Sequence, residues 1–277
     1  MNRFFLLFGL FLLIGFSVEA QRIGNQRTEV GLMLGGSNYQ GDLSPPSGLP
    51  VDIDETNFAL GGIFRYYFTP RLNFKANVYY GTISGDDRNF QERVGRNLSF
   101  ESHVLEFSGQ VEFNILPFIS GSRTNRFAPY VFTGISVFNF NPQAEDIDGN
   151  MVELQPLGTE GQGTPSGTNP YSLTQIAIPM GVGFKYAFRN GWNLGFEFGS
   201  RRTFTDYLDD IGTNYAPDGS QLSPKARQMS YRQPGYTGGD DTIYPDGRQR
   251  GGDSVDWYIF SGITITKTLF RNVCGAF

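Results

Sequence analysis

The chain has 277 residues, with 36 glycines, 15% aromatic residues, a single cysteine and a formal net charge of −5 at pH 7. One cysteine excludes a disulfide framework within the chain. The high glycine and aromatic content fits a barrel with lipid outside and a polar interior, although a secreted β-sandwich has a similar composition.

The first twenty residues have the pattern of a secretion signal. A basic start at Arg3 precedes the apolar run 4–16, and Val18 and Ala20 form the small-x-small pattern that signal peptidase cleaves. The run is too short to cross a bilayer as a helix, and no other segment is apolar over about eighteen residues. We therefore predict a cleaved signal at 1–20, one outer-membrane domain at 21–277 and no transmembrane helix.

Eight segments alternate between apolar and polar residues, which is the pattern of strands with two different faces. The clearest is 72–84, where Phe74 and Val78 alternate with Asn73, Lys75 and Asn77. The fifth segment is apolar on both faces, so its phase stays open. The predicted strands are 28–37, 57–68, 72–84, 100–116, 127–141, 174–188, 192–203 and 256–270.

The connections between these strands alternate in length. Links 69–71 and 189–191 are short, whereas about 19, 15, 32 and 51 residues follow strands one, three, five and seven. Bacterial outer-membrane barrels have short periplasmic turns and long extracellular loops, and a β-sandwich has no reason to alternate in this way. We therefore predict an all-β fold: an eight-stranded antiparallel transmembrane β-barrel in the outer membrane of a Gram-negative bacterium, with both termini periplasmic.

The interior of an eight-stranded barrel is narrow enough for side chains to fill it. Cations and carboxylates on the inward faces should pair with each other, because a lone buried charge is costly. We expect a plugged barrel rather than a pore. The predicted inward charges are Arg65, Lys75, Glu106, Glu112, Lys185, Glu197 and Arg201.

Charge is sorted between the two ends of the predicted barrel. The four long loops carry 20 acidic and 8 basic residues, whereas the periplasmic segments carry eight cations and no acid. These cations either contact lipid headgroups or form a docking surface for an acidic periplasmic partner. The link 117–126 is the longest on the periplasmic side, which favours docking. The candidate partner-binding residues are Arg71, Arg123, Arg126, Arg189 and Arg271, and the other periplasmic cations are Arg22, Arg27 and Lys267.

Several loop motifs are more specific than the strand pattern. They include GGSNYQGDL at 35–43, YGTISGDD at 80–87, LQPLGTEGQGT at 154–164, PYSLTQIAIPMGVGFKY at 170–186 and LGFEFGSRRTFTDYLDD at 194–210. Over about 28–270, the chain resembles the PorG-type outer-membrane β-barrel family of the type IX (Por/gliding) secretion system. The region after Asp210 and the tail 271–277 carry no matching motif.

The resemblance implies a non-enzymatic outer-membrane subunit without a cofactor. Such a subunit would dock or anchor the periplasmic ring that a lipoprotein and its partner protein form. Two alternatives stay open: a generic small barrel for envelope integrity or adhesion, and a narrow solute channel. Besides the ring proteins we expect contact with outer-membrane lipid and no nucleic-acid partner.

Four other features carry weak chemical signals, and we predict no catalytic residue and no metal site from them. His103 shares the outward phase of its strand, so we expect an interfacial residue. The segment EDIDGN at 145–150 resembles part of a calcium loop but lacks the closing glutamate, and a tight turn also explains it. Asp206, Asp209 and Asp210 are expected to cap their loop rather than bind a cation. Cys274 is either a free thiol or part of an intermolecular disulfide.

The loops after strands five and seven contain too many large apolar and aromatic residues for solvated coil. We therefore expect both loops to pack over the mouth of the barrel. The residues that support this expectation are Leu154, Leu157, Tyr171, Phe204, Tyr207 and Leu208.

Overall fold

A computed structural model describes residues 28–44, 55–91, 93–212, 214–234, 243–252 and 254–269. The predicted signal at 1–20 lies outside these described residues, as do Arg22, Arg27, Arg271 and Cys274. Within the described ranges, no helix is long and apolar enough to cross a membrane.

The described residues form ten strands and one short α-helix, α1 (Pro224–Ser230). Eight of the strands coincide with the predicted segments, and their ends agree to within three residues. The ten are β1 (Thr28–Gln40), β2 (Asn57–Tyr67), β3 (Leu72–Asp86), β4 (Ser99–Asn114), β5 (Phe127–Asn139), β6 (Pro142–Glu145), β7 (Met151–Glu153), β8 (Thr174–Ala187), β9 (Trp192–Thr203) and β10 (Trp257–Leu269).

Eight of these strands close into an antiparallel barrel. Each pairs with its neighbours along the chain, β5 pairs with β8, and β1 pairs with β10 from Thr28–Leu269 to Gln40–Trp257. Closure leaves the barrel without a free edge, so every strand finds backbone partners on both sides. The prediction of an eight-stranded antiparallel barrel is confirmed.

The remaining two strands were not predicted. β6 and β7 form a hairpin that joins the sheet beyond the barrel wall, where Gln143 pairs with Glu101 and Pro142 with Ser102 of β4. Strands of four and three residues are too short to produce a readable alternation. The segment 142–173, which we expected to be only a loop, therefore begins with a hairpin.

The two ends of the barrel differ in the length of their connections. We call the end with the links 68–71, 115–126 and 188–191 the turn end, and the opposite end the loop end. Four long connections meet at the loop end. We call the described residues of 41–56, 87–98, 140–173 and 204–256 the cap.

The apolar and polar faces of the barrel wall change sides between the middle of the barrel and the loop end. In the middle, apolar residues such as Phe107 and Val111 point outward, and charged residues such as Glu112 point inward. Beyond Tyr80 and His103, the outward positions become polar, whereas the inward residues Ile83, Phe100 and Val104 become an apolar core. The exchange marks where lipid outside the wall gives way to water.

The same rule settles the phase of β5, which the sequence left open. Val131, Ile135 and Val137 face outward and are exposed, whereas Tyr130 and Phe138 are buried inside. Inward aromatic rings therefore explain why this strand is apolar on both faces.

The cap is a folded body with its own apolar core. Leu154, Leu208 and Met229 are buried there together with residues from the barrel end, and Leu157 and Tyr171 pack against them. The expected packing of the two loops over the mouth is thus confirmed. Phe204 is the exception, because 60% of its surface is exposed.

Candidate functional site

Eight charged side chains fill the barrel interior, and we call them the lumen cluster. All are buried, and four are cations and four are carboxylates. They are Glu29, Arg65, Lys75, Glu106, Glu112, Lys185, Glu197 and Arg201. The seven inward charges predicted from the alternation are confirmed.

Arg65 lies at the centre of the lumen cluster. Its Nη1 lies 2.6 Å from Oε1 of Glu29, and its Nε lies 2.9 Å from Oε2 of Glu112. Glu112 also accepts a hydrogen bond from Lys185. Two carboxylates and two cations from four strands therefore neutralise each other across the interior, as buried ions require.

Two further ion pairs extend the cluster. Lys75 binds Glu197, which also accepts a hydrogen bond from Tyr130 at 3.0 Å. Toward the loop end, Nε of Arg201 lies 3.0 Å from Oε2 of Glu106, and Tyr258 donates to the same oxygen at 2.7 Å. The tyrosines occupy lone pairs that the cations leave open, so the interior is filled by a connected polar network.

Some members of this network were missed in the sequence. Glu29 alternates with the outward Val30, so the phase of β1 was sufficient to place it inside. The inward tyrosines Tyr67, Tyr130 and Tyr258 were not singled out from the sequence, although a hydroxyl on an inward ring is a hydrogen-bond donor.

The turn end is closed by a plug from the link 115–126. Phe118 is buried, stacks on Tyr67 with ring centroids 6.2 Å apart, and has Nζ of Lys185 4.8 Å from its own centroid. Ser120 donates a hydrogen bond to Asn193 at 2.9 Å. A cavity of only about 10 Å³ remains between Phe118, Tyr67 and the neighbouring residues. Plugging the barrel thus explains the length of this link, so that length no longer favours docking.

Five cations lie at the turn end, of which four are exposed and Lys267 is half-buried, and we call Arg71, Arg123, Arg126, Arg189 and Lys267 the basic rim. Arg126 lies over the ring of Tyr186 at 5.2 Å, and Lys267 over that of Trp192 at 5.1 Å. Within the described ranges, none of the five forms a salt bridge and no acidic residue lies on the three turn-end links. Arg271, the fifth predicted docking residue, lies outside the described residues.

The cap has buried charges of its own. Nη1 of Arg250 lies 3.0 Å from Oε1 of Glu160 and donates to the carbonyl of Asp210 at 2.6 Å. The carboxylate of Asp210 accepts hydrogen bonds from Thr159 and, at 2.7 Å, from Tyr171. Burial raises the pKa of Asp210 to about 6. These contacts join the connection 204–256 to the connection 140–173.

A second group in the cap places two carboxylates on one hydroxyl. Oη of Tyr39 lies 2.7 Å from Oδ2 of Asp209 and 2.9 Å from Oδ1 of Asp256. Asp209 also accepts the backbone N–H of Ile211, which is the capping contact expected for this aspartate. The approach of Asp256 was not predicted.

The weaker sequence motifs have local structural explanations. His103 is exposed on the outer wall, where its Nδ1 lies 3.0 Å from Oγ1 of Thr82, as expected for an interfacial residue. In EDIDGN, Asp146 accepts the N–H groups of Asp148 and Asn150 and binds Lys225, which fits a tight turn. The described part of the chain has no group of three or more side chains that could hold a metal ion.

Solved structures of small outer-membrane barrels are similar to this chain. The Neisserial surface protein A is 10% identical, with 87% of this chain and 97% of that chain covered and a TM-score of 0.43. Ail of Yersinia pestis is 8% identical, with 88% and 98% covered and a TM-score of 0.39. OprG of Pseudomonas aeruginosa is 11% identical, with 89% and 99% covered and a TM-score of 0.37. At these identities the likeness concerns the fold alone.

Among curated proteins, none matches this chain significantly. The fold itself rests on the strand pairing described above, which makes the chain a small outer-membrane β-barrel with a filled interior. A family model described as a domain of unknown function, DUF6089, matches residues 4–223, and the chain belongs to that family.

Proposed function

We propose that the protein is a closed, non-enzymatic outer-membrane anchor that presents its folded cap at the cell surface and serves adhesion or envelope integrity. The lumen cluster carries this proposal, because eight mutually paired charges and their tyrosine partners occupy the space that a solute would need. The Phe118 plug closes one end of the barrel and the cap covers the other, which also argues against the solute-channel alternative. Because bacterial barrels have their short turns in the periplasm, we place the turn end in the periplasm and the cap outside the cell.

The β6–β7 hairpin is the part of the cap best suited to recognition. Ile147 at its tip is 77% exposed and Met151 is 50% exposed, although both lie beyond the apolar band of the barrel. Beside them, Lys225, Met229 and Arg232 contribute to an open groove of about 800 Å³. Exposed apolar residues on a water-facing surface mark an interaction site more often than a structural need.

A deletion strain and one variant separate adhesion from integrity. Cells without the protein should lose adhesion if the cap recognises a surface, and should become sensitive to bile salts or detergent if the barrel serves integrity. Ile147→Ser with Met151→Ser should reproduce only the adhesion defect. Asp148→Ser is the matched control, because it changes an exposed residue of the same hairpin without removing apolar surface. A deletion strain with normal adhesion and normal permeability would overturn the proposal.

A second candidate function is docking of the type IX secretion ring at the basic rim. Two observations favour it. The basic rim clusters cations at the turn end, whose three links carry no acidic residue, and the loop motifs resemble the PorG-type family. A basic surface of this kind would attract and orient an acidic periplasmic partner. The partners would be the ring lipoprotein and its partner protein.

Charge reversal tests the docking function. Replacing Arg71, Arg123, Arg126 and Arg189 with Glu should leave the barrel folded and heat-modifiable on gels, and should abolish secretion and co-purification with the ring. Reversal of two exposed cap cations, Arg88→Glu and Arg248→Glu, is the control and should have no effect. Normal secretion by the four-residue variant at normal abundance would contradict the docking function.

A further inference from the structure

The carboxyl groups of Asp209 and Asp256 meet at one tyrosine hydroxyl in the cap. Both side chains are buried, and Oη of Tyr39 lies within hydrogen-bond distance of each. The other oxygen of Asp209 accepts the backbone N–H of Ile211, and the other oxygen of Asp256 accepts that of Leu208, both at 2.9 Å. A phenol has one proton, so Tyr39 can donate to only one of the two carboxyl groups.

The surrounding charges do not supply the missing positive charge. Arg96 is bound to Asp87, and Arg250 is bound to Glu160 and to the backbone of Asp210. In the described part of the chain, no cation lies within salt-bridge distance of Asp209 or Asp256. The titratable groups that face the pair are Tyr39 and Asp42 from β1 and the segment after it, Arg96 from 87–98, Tyr171 from 140–173, and Asp206 and Arg250 from 204–256. Arg93 of 87–98 donates to the backbone carbonyl of Asp42.

The position of the pair in the chain suggests what a proton there would do. Asp209 lies near the start of the connection 204–256, and Asp256 is its last residue before β10. Tyr39 belongs to β1, so one hydroxyl joins both ends of the longest connection to the barrel wall. A backbone hydrogen bond joins the same two ends of the connection, since the N–H of Asp256 donates to the carbonyl of Thr205 at 3.0 Å.

We propose that Asp209 and Asp256 share one proton through the Tyr39 hydroxyl, and that this proton latches the connection 204–256 onto β1, so that the cap loosens as pH rises. The neutral carboxyl donates its O–H to Oη of Tyr39, and Tyr39 donates its own O–H to the ionised carboxyl. Every oxygen in the group then has a partner. Loss of the shared proton leaves two adjacent buried carboxylates and one contact without a hydrogen.

The sign of the pH dependence follows from proton linkage. Burial raises the pKa of Asp209 and of Asp256 well above the ordinary value for an aspartate. The closed cap therefore binds a proton that the opened cap releases above pH 4. The stability of the closed cap is greatest at low pH and declines as pH rises toward the raised pKa. For one linked proton, the equilibrium constant for opening increases by up to about tenfold per pH unit.

Hydrogen exchange and tryptophan fluorescence can test the latch on the full-length protein in detergent micelles. The chain contains only Trp192 and Trp257, and Trp257 adjoins the latch, so a Trp192→Phe background gives a local reporter. We expect protection of 205–211 to fall in a transition between pH 6 and pH 10, above the pKa of about 6 of Asp210, with a parallel change in quenching of Trp257 by iodide. Protection that stays constant over this range in the otherwise unaltered protein would overturn the proposal, whatever the variants do.

Asparagine variants identify the proton. In Asp209→Asn or Asp256→Asn, the amide can donate to Tyr39 while its carbonyl still accepts the backbone N–H, so the uncharged contact is kept without a titrating proton. Either variant should retain protection at pH 10 and lose the transition. Asp87→Asn is the matched control, because it replaces a buried cap carboxylate that has its own cation, Arg96. It should lower protection at every pH and keep the transition. Asparagine variants that behave like Asp87→Asn would contradict the latch. The proposal holds for either function considered above, since it concerns only how the cap is held.

Discussion

The lumen cluster and the cap both bury many charges, but they balance them differently. In the barrel, each of the four carboxylates has a cation within salt-bridge distance, and the total is neutral. In the cap, Glu160 and Asp87 also have cations, but Asp209 and Asp256 share a hydroxyl instead. In the barrel a nearby cation balances each buried carboxylate, whereas Asp209 and Asp256 have only a hydroxyl and therefore share a proton in our proposal. Whether a buried carboxyl group is ionised therefore depends on its partner as well as on its burial.

The comparison also explains why the two regions are built from different residue types. Inside the membrane, lipid selects apolar residues for the outer face, and polar residues collect within. In the cap, water surrounds the outer face, and the apolar residues collect within, as Phe100 and Leu208 do. The same strands serve both regions because alternation allows each face to change character along its length.

The largest effect is expected from removing the centre of the lumen cluster. Arg65→Met leaves Glu29 without a cation and Glu112 with only Lys185, so it should lower the free energy of unfolding by about 3–5 kcal/mol. Urea titrations of the barrel in lipid vesicles measure this change. Arg88→Met is the control, since Arg88 is exposed and should change stability by less than about 0.5 kcal/mol. Equal stabilities for the two variants would break the contrast between buried and exposed charge.

A smaller effect is expected from removing the turn-end plug. Phe118→Ala deletes a buried ring that packs on Tyr67 and should cost about 3 kcal/mol, within the range for large-to-small core changes. The lumen cluster stays intact, so the variant should still not conduct ions in planar bilayers. Phe127→Ala is the control for losing an exposed aromatic ring at the same end. A conducting Phe118→Ala barrel would show that the plug, rather than the charges, closes the interior.

The smallest effect is expected at Asp210, which has a nearby cation and lies next to the latch. Its pKa is raised to about 6, so the closed cap should lose stability as pH rises from 4 to 6 and then level off with respect to this group. Asp210→Asn should remove this acidic phase and leave the phase at higher pH, and hydrogen exchange of 159–171 measures both. Asparagine tolerates the left-handed backbone of Asp210, with φ of 64°, so the substitution isolates the charge. A single pH phase that is lost in Asp210→Asn would assign the latch proton to Asp210 instead.

Alternation made the barrel and most of its interior predictable from the sequence. Lys75 and Glu112 lie between outward apolar residues, so their phase alone placed them inside, and the same rule applies to Glu29. The pairing of these charges could be predicted as well, because opposite charges buried in a narrow interior lie close enough to neutralise each other.

The cap was not predictable in this way. Tyr39 and Asp256 are 217 positions apart in the chain, and no periodicity relates them. The Phe118 plug could not be predicted for the same reason, because no sequence pattern shows where a ring in an irregular link points. Packing of several irregular connections fixes these contacts, and packing leaves no simple pattern in one sequence.

Conductance of the purified, folded protein in planar lipid bilayers tests the central claim most directly. If the lumen cluster fills the interior, single-channel recordings of the heat-modifiable species at neutral pH should remain at the baseline of the bare membrane. The denatured and refolded protein should behave identically once heat-modifiability returns. Stable, uniform conductance steps from the folded protein would contradict a closed barrel and restore the channel function.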